Sequence, residues 1–131
     1  MIQIDPVEYY GMVGDSTGYI ALRDFTDKTT VEFRDAMADL TQNRGMKNLV
    51  IDLRNNGGGL VSEAINIAGM FLPKHSLVVT MKGIQPQNNK SYKTMSEPLY
   101  PNMPLVILVN TNSASASEIL AGVFQDMDRA V

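Results

Sequence analysis

The chain of 131 residues is 44% hydrophobic and 19% charged, with a formal net charge of −3, a balance that suits one compact domain and excludes disordered and fibrous classes. Acidic and basic residues are interspersed, so no basic stripe awaits phosphates, and neither nucleic acid nor an anionic membrane surface is an expected partner. With no cysteine, disulfides, thiolate chemistry and cysteine-based zinc sites are excluded together.

The opening stretch MIQIDPVEYY has no basic region followed by an apolar core, and no window is long enough to span a bilayer. Such a chain is expected either in the cytoplasm or as a piece whose leader has been removed. Residues 7–25 read as extended segments around the turn VGDSTG. Thr29 with Glu32 forms the pattern of a capping box, Phe33, Met37 and Leu40 recur at helical spacing, and Gly45 follows as a stop. NLVIDL (48–53) is a continuous apolar run, expected as a strand buried on both faces. The turn RNNGGG leads into the helical pattern LVSEAINIAGMFL, closed by Pro73, and SLVVTMKG (76–83) reads as a further strand. Residues 84–103 read as one long polar loop, PLVILVN as a third buried strand, and SASEILAGVFQDM as a helix. The final DRAV reads as a turn and the first residues of a new strand, interrupted as if by a cut.

Strands alternating with helices predict parallel pairing, with helices on the sheet faces. Ligands of such sheets gather beyond the carboxyl ends of the strands. Both RNNGGG and NSASAS occupy that position.

Each candidate motif carries a plain reading as well as a chemical one. Gly14-Asp15-Ser16-Thr17-Gly18 fits G-x-S-x-G, but a strand pattern rather than a helix follows it, so Ser16 is expected at a hairpin tip. RNNGGG fits an anion cradle, a tight turn, or a set of N–H groups facing an oxyanion. In SASASE, Ser115 with Glu118 is a capping box, while a serine at a helix start also lies at the positive end of the dipole, with the Ala116 N–H free to donate. A serine nucleophile needs a base. The single histidine, His75, lies at the start of a strand, away from the strand carboxyl ends, and is expected on the surface. Lys28, Lys47, Lys74, Lys82, Lys90 and Lys93 fall in polar or turn segments, where a lysine is solvated rather than held against a nucleophile as a base. No base is therefore evident in the chain. Asp52, inside an apolar run, needs partners; Arg54 and the turn N–H groups are the candidates, and the pair is read as scaffolding.

Taken together, NLVIDLRNNGGGLVSEAINIAGMFLPK and PLVILVNTNSASASEILAGVFQDMDRA resemble the carboxyl-terminal processing peptidases, or tail-specific proteases, which are serine peptidases with a Ser-Lys dyad. GYIALRDFT resembles their entry strand. The resemblance implies Ser115 as nucleophile, Ala116 and Gly58, with Gly59 adjacent, as oxyanion-hole donors, and Glu118 in support. It implies no metal and no cofactor, and a protein or peptide substrate. The implied fold is an α/β core of βαβ spirals with a mainly parallel sheet flanked by helices, similar to Clp proteases and crotonases. It further implies that residues 1–131 are a partial catalytic core. The PDZ domain and the strand bearing the base lysine would lie outside them, leaving the piece itself inactive. The whole protein would be periplasmic or membrane-associated. In the piece itself, a sheet edge left unpaired by the cut would let two copies associate. The same fold also serves as a non-catalytic binding module, which stays open as the alternative, as does a crotonase-like acyl-group enzyme.

Overall fold

The computed structural model describes residues 5–81 and 90–131. In chain order they form β1 (Val7–Val13), β2 (Thr17–Leu22), α1 (Thr29–Asn43), β3 (Asn48–Asp52), α2 (Val61–Ala68), β4 (Leu77–Met81), β5 (Lys90–Lys93), β6 (Leu105–Leu108) and α3 (Ala116–Asp126).

A four-stranded sheet runs in the order β1-β2-β3-β6. β1 is antiparallel to β2, whereas β2, β3 and β6 run parallel. β4 stands outside this sheet and pairs antiparallel with β5. The expected βαβ spiral of the Clp and crotonase kind is therefore not what forms: the sheet is open, uncurled and mixed. A spiral needs successive βαβ units, each adding a parallel strand, and only β2-α1-β3 obeys that rule directly. The step from β3 to β6 passes over α2 and the β4–β5 pair, and the antiparallel β1 occupies the other edge. The expected loop at 84–103 is likewise corrected at Lys90–Lys93, which form β5; residues 84–89 lie outside the described residues.

Alternation along the strands explains where the core sits. Ile20, Leu22, Leu49, Ile51 and Leu105 are buried with Phe33, Met37 and Leu40 of α1, Ala64 and Ile67 of α2, and Leu120, Val123 and Phe124 of α3 in one cluster. Intervening positions such as Tyr19 and Val50 are half-buried, and Val106 is exposed. β3 is thus buried along the face of Leu49 and Ile51, where all three helices feed the same cluster, while on its other face Asn48 and Val50 are half-buried and Asp52, at the end, is buried. Phe71 ties the helices together, meeting Phe33 and Phe124 edge-on with centroids 6.2 and 5.8 Å away.

Ser16 lies in the hairpin turn between β1 and β2, as its context predicted. Its carbonyl accepts the N–H groups of Lys47 and Asn48 at 2.8 and 3.2 Å. The start of α1 differs from expectation. Thr29 accepts the Thr26 N–H through Oγ1 at 2.8 Å, Glu32 accepts the Val7 N–H at 3.2 Å, and Lys28 occupies the cap position. The Thr30 N–H instead donates to Oε1 of buried Glu63, on α2, at 3.1 Å. A carboxylate from a neighbouring helix thereby satisfies a helix-start donor, a contact that no local pattern encodes. At the far side of the sheet, Leu105 forms a parallel bridge with Ala130, and the Ile107 N–H donates to the Val131 carbonyl at 2.8 Å. DRAV thus begins to extend the sheet beside β6, as read from the sequence.

Candidate active site

β3 and β6 are parallel neighbours with Asp52 opposite Leu108, so the loops that leave their carboxyl ends start side by side. The Leu53 N–H still donates to the Leu108 carbonyl at 2.8 Å. Beyond that point asparagines take over. The Asn55 N–H donates to Asn110 Oδ1 at 3.0 Å, and Asn55 Oδ1 accepts the Nδ2 groups of Asn110 and Asn112, each at 2.9 Å. This clasp fastens the glycine turn to the segment that carries the three serines.

The serines separate by role. Ser113 Oγ donates to the Leu53 carbonyl at 2.6 Å, and buried Ser117 donates through Oγ to the Asn56 carbonyl at 3.1 Å. Both are committed to holding the glycine turn. Ser115 is exposed and sits at the cap of α3 with φ 55° and ψ −118°, a region that costs a residue with a Cβ about 1–3 kcal/mol and persists only where surrounding contacts enforce it. Those contacts are present: the Ser115 N–H donates to Glu118 Oε1 at 3.0 Å, and the Ala114 N–H donates to the Asn56 carbonyl at 3.0 Å. The predicted Ser115–Glu118 capping box forms. With the Ser117 N–H held by the Ala114 carbonyl at 3.1 Å, the Ala116 N–H at the first helical position is left between them, near the positive end of the α3 dipole.

Gly58 backs directly onto this serine. A Cβ placed on it would lie 2.5 Å from Ser115 Cβ, 2.7 Å from the Ala114 carbonyl oxygen and 3.0 Å from the Ala116 nitrogen. Its φ of +98° also favours glycine. The Gly58 N–H donates to Asn56 Oδ1 at 2.8 Å, and its carbonyl accepts the Phe25 N–H at 2.9 Å. The Leu60 N–H donates to the Phe25 carbonyl at 2.8 Å, so Gly59 is bridged parallel to Phe25. In a parallel bridge of this kind the flanking groups face the partner, and the N–H of the bridged residue points the other way. For Gly59 that is away from Phe25.

Asp52 finds the partners its burial requires. Oδ1 accepts the Arg54 backbone N–H and Nε, both at 3.0 Å, while Oδ2 accepts Arg54 Nη2 at 2.8 Å and a short hydrogen bond from the Tyr19 hydroxyl. Burial alone would raise its pKa, but the hydrogen bonds from Arg54 and Tyr19 outweigh it and hold the carboxyl at about 2. Burial and the Asp52 hydrogen bond push the Tyr19 phenol up. A carboxyl depressed in the folded state stabilises the fold above its unfolded pKa of about 3.9, and that contribution fades as pH falls toward 2. We expect Asp52→Asn to lose about 2 kcal/mol in urea unfolding at pH 7, and to lack the part of the wild-type decline between pH 4 and 2 that Asp52 supplies. An unchanged wild-type pH slope in the variant would remove Asp52 from that role. Sequence reading placed this pair as scaffolding but missed Tyr19, which reaches it from β2 across 33 positions. His75 lies with its side chain exposed in the turn before β4.

A family model described as Peptidase family S41 matches residues 16–131. The chain belongs to that family. A carboxyl-terminal-processing protease of Picosynechococcus is 42% identical to this S41 chain over 120 residues, covering 90% of the chain and 28% of the relative. One from Synechocystis is 40% identical over 117 residues, covering 89% and 26%. Among solved structures, the photosystem II D1 C-terminal processing protease superposes with a TM-score of 0.82 at 31% identity, covering 99% of this chain and 36% of that one. The S41 chain thus spans between a quarter and two-fifths of the length of these relatives. Among the described residues no helix is long and apolar enough to cross a membrane.

Proposed function

We propose that the chain is part of the catalytic core of a serine endopeptidase that trims protein carboxyl termini by an acyl-enzyme route. The observation that carries this reading is the backbone of Ser115. A residue with a Cβ is held at φ 55° on an exposed helix start while its two neighbouring serines are tied into the scaffold, and enforced strain of this sort accumulates at functional positions. In this reading Ser115 attacks the scissile carbonyl. The Ala116 N–H and an N–H of the glycine turn stabilise the tetrahedral oxyanion, and water then hydrolyses the ester. Between the two glycines, Gly58 lets the turn approach Ser115. Gly59 supplies the donor, because the Gly58 N–H is committed to Asn56 while that of Gly59 points away from its bridge partner Phe25. Glu118 supports Ser115 by fixing its N–H.

The relatives are longer than this chain, and residues 1–131 are read as a partial core. The base would be a lysine on another segment of the protein, desolvated so that its pKa is depressed. A PDZ domain and an export signal would likewise belong elsewhere, placing the whole protein at the periplasmic side of a membrane. Copies would associate through an exposed sheet edge. The test is chemical. Intact protein treated with a fluorophosphonate probe should carry a single adduct, mapped by mass spectrometry to Ser115. Protein that cleaves unfolded casein while Ser115 stays unmodified would overturn the assignment.

A further inference from the structure

Asn56 is fully buried, a position that a polar side chain occupies only when its hydrogen bonds are satisfied. Its bonds reach segments that are remote in sequence. Nδ2 donates to the Leu22 carbonyl at the end of β2 at 3.1 Å, and Oδ1 accepts the Gly58 N–H at 2.8 Å. Its carbonyl accepts the Ala114 N–H at 3.0 Å and Ser117 Oγ at 3.1 Å. Those last two groups bracket Ser115, one residue before it and two after. Its own N–H donates to the Leu53 carbonyl at 3.1 Å, closing the turn.

Resting on the serine reading above, we infer that Asn56 is a positioning residue, which holds the glycine turn and the Ser115 loop in one register. The side-chain amide anchors Asn56 to β2. The backbone carbonyl, fixed by that anchor, sets the height of the serine loop. Oδ1 withdraws the Gly58 N–H from competition, leaving the Gly59 N–H, which points away from Phe25, as the donor of the turn that this reading uses. Asn56 touches neither substrate nor reacting atoms in this arrangement. Its effect is on the relative placement of nucleophile and donors, where displacements of about 1 Å are worth about 10²-fold in rate.

Two variants of the full-length protein test this beside a Ser115→Ala control. Asn56→Ala removes both side-chain bonds, and we expect kcat on an unfolded peptide to fall about 100-fold while KM changes less than about threefold, with the rate of fluorophosphonate labelling falling in step. Asn56→Asp keeps the acceptor for the Gly58 N–H but sets an oxygen against the Leu22 carbonyl. The introduced carboxyl, its pKa raised by burial, donates to that carbonyl once protonated. The deficit of Asn56→Asp relative to wild type should therefore narrow about tenfold between pH 8 and pH 6 while circular dichroism shows the variant fully folded at both pH values, so that the change is not one of folded fraction. If Asn56→Ala does not fold, this pH ratio still decides. Wild-type kcat in a folded Asn56→Ala variant, or a deficit of Asn56→Asp that is flat with pH, overturns the inference. Cleavage that persists in Ser115→Ala overturns instead the serine reading beneath it, and the two failures are separate measurements.

Discussion

Replacing Ser115 by glycine is expected to abolish cleavage and yet leave a protein more stable than the Ser115→Ala variant. Both substitutions remove the proposed nucleophile, for which losses in kcat of about 10⁴–10⁶ are the usual scale. Their stabilities diverge because the backbone at this position is at φ 55° and ψ −118°. Alanine keeps its Cβ in that conformation and forfeits the cap, which costs about 1 kcal/mol. Glycine adopts positive φ without penalty and forfeits only a few tenths at a helix cap. The difference between the variants should be about 1–2 kcal/mol in favour of glycine, read from urea midpoints at constant slope. Equal midpoints would mean that the conformation at Ser115 carries no strain. Retained cleavage by either variant would place the nucleophile elsewhere.

Gly58→Ala should be damaging for the opposite reason, since it adds an atom where none fits. The new Cβ would approach Ser115 Cβ to 2.5 Å, and the Ala114 oxygen and Ala116 nitrogen to 2.7 and 3.0 Å. Two of these neighbours are backbone atoms and the third sits one bond from the backbone, so no rotamer change relieves the clash. Overpacking of this kind costs about 1–3 kcal/mol, and a positive φ adds a similar amount. The turn and the serine loop must then separate. We expect a loss of about 3 kcal/mol or more in unfolding free energy and a fall of at least about 10²-fold in kcat. Near-normal stability would show that the two loops are not in contact in solution.

Much of this arrangement could be read from the chain before any coordinates. β3, α2, β6 and α3 follow from apolar runs of the right length and from the Ser115–Glu118 box, because periodicity and capping are local properties. Convergence of RNNGGG and NSASAS follows from parallel pairing. What escaped reading is non-local. KSYK has one aromatic residue among polar ones and gives no strand signal, yet it pairs with β4. That pairing takes β4 out of the main sheet and, with it, the spiral that the family resemblance implied. The asparagines at positions 55, 56, 110 and 112 look like ordinary loop residues, and their role appears only when two loops are brought together. Two consecutive asparagines before three glycines were the one available hint, since asparagine tolerates the left-handed region that Asn55 adopts at φ 64°. Glu63 and Tyr19 were silent for the same reason, each acting on an element more than thirty positions away.

Phe25 gives the glycine turn a property that its composition would not suggest. Three adjacent glycines ordinarily make a swivel. Here both polar backbone groups of Phe25 grip the turn, and its ring is embedded among the buried residues of the core. The turn consequently has no private mode of melting: it belongs to the same cooperative unit as the sheet and helices. Glycine serves in this loop as a means of close approach rather than of movement, and the contact of Gly58 with the Ser115 loop is as durable as the fold that carries it.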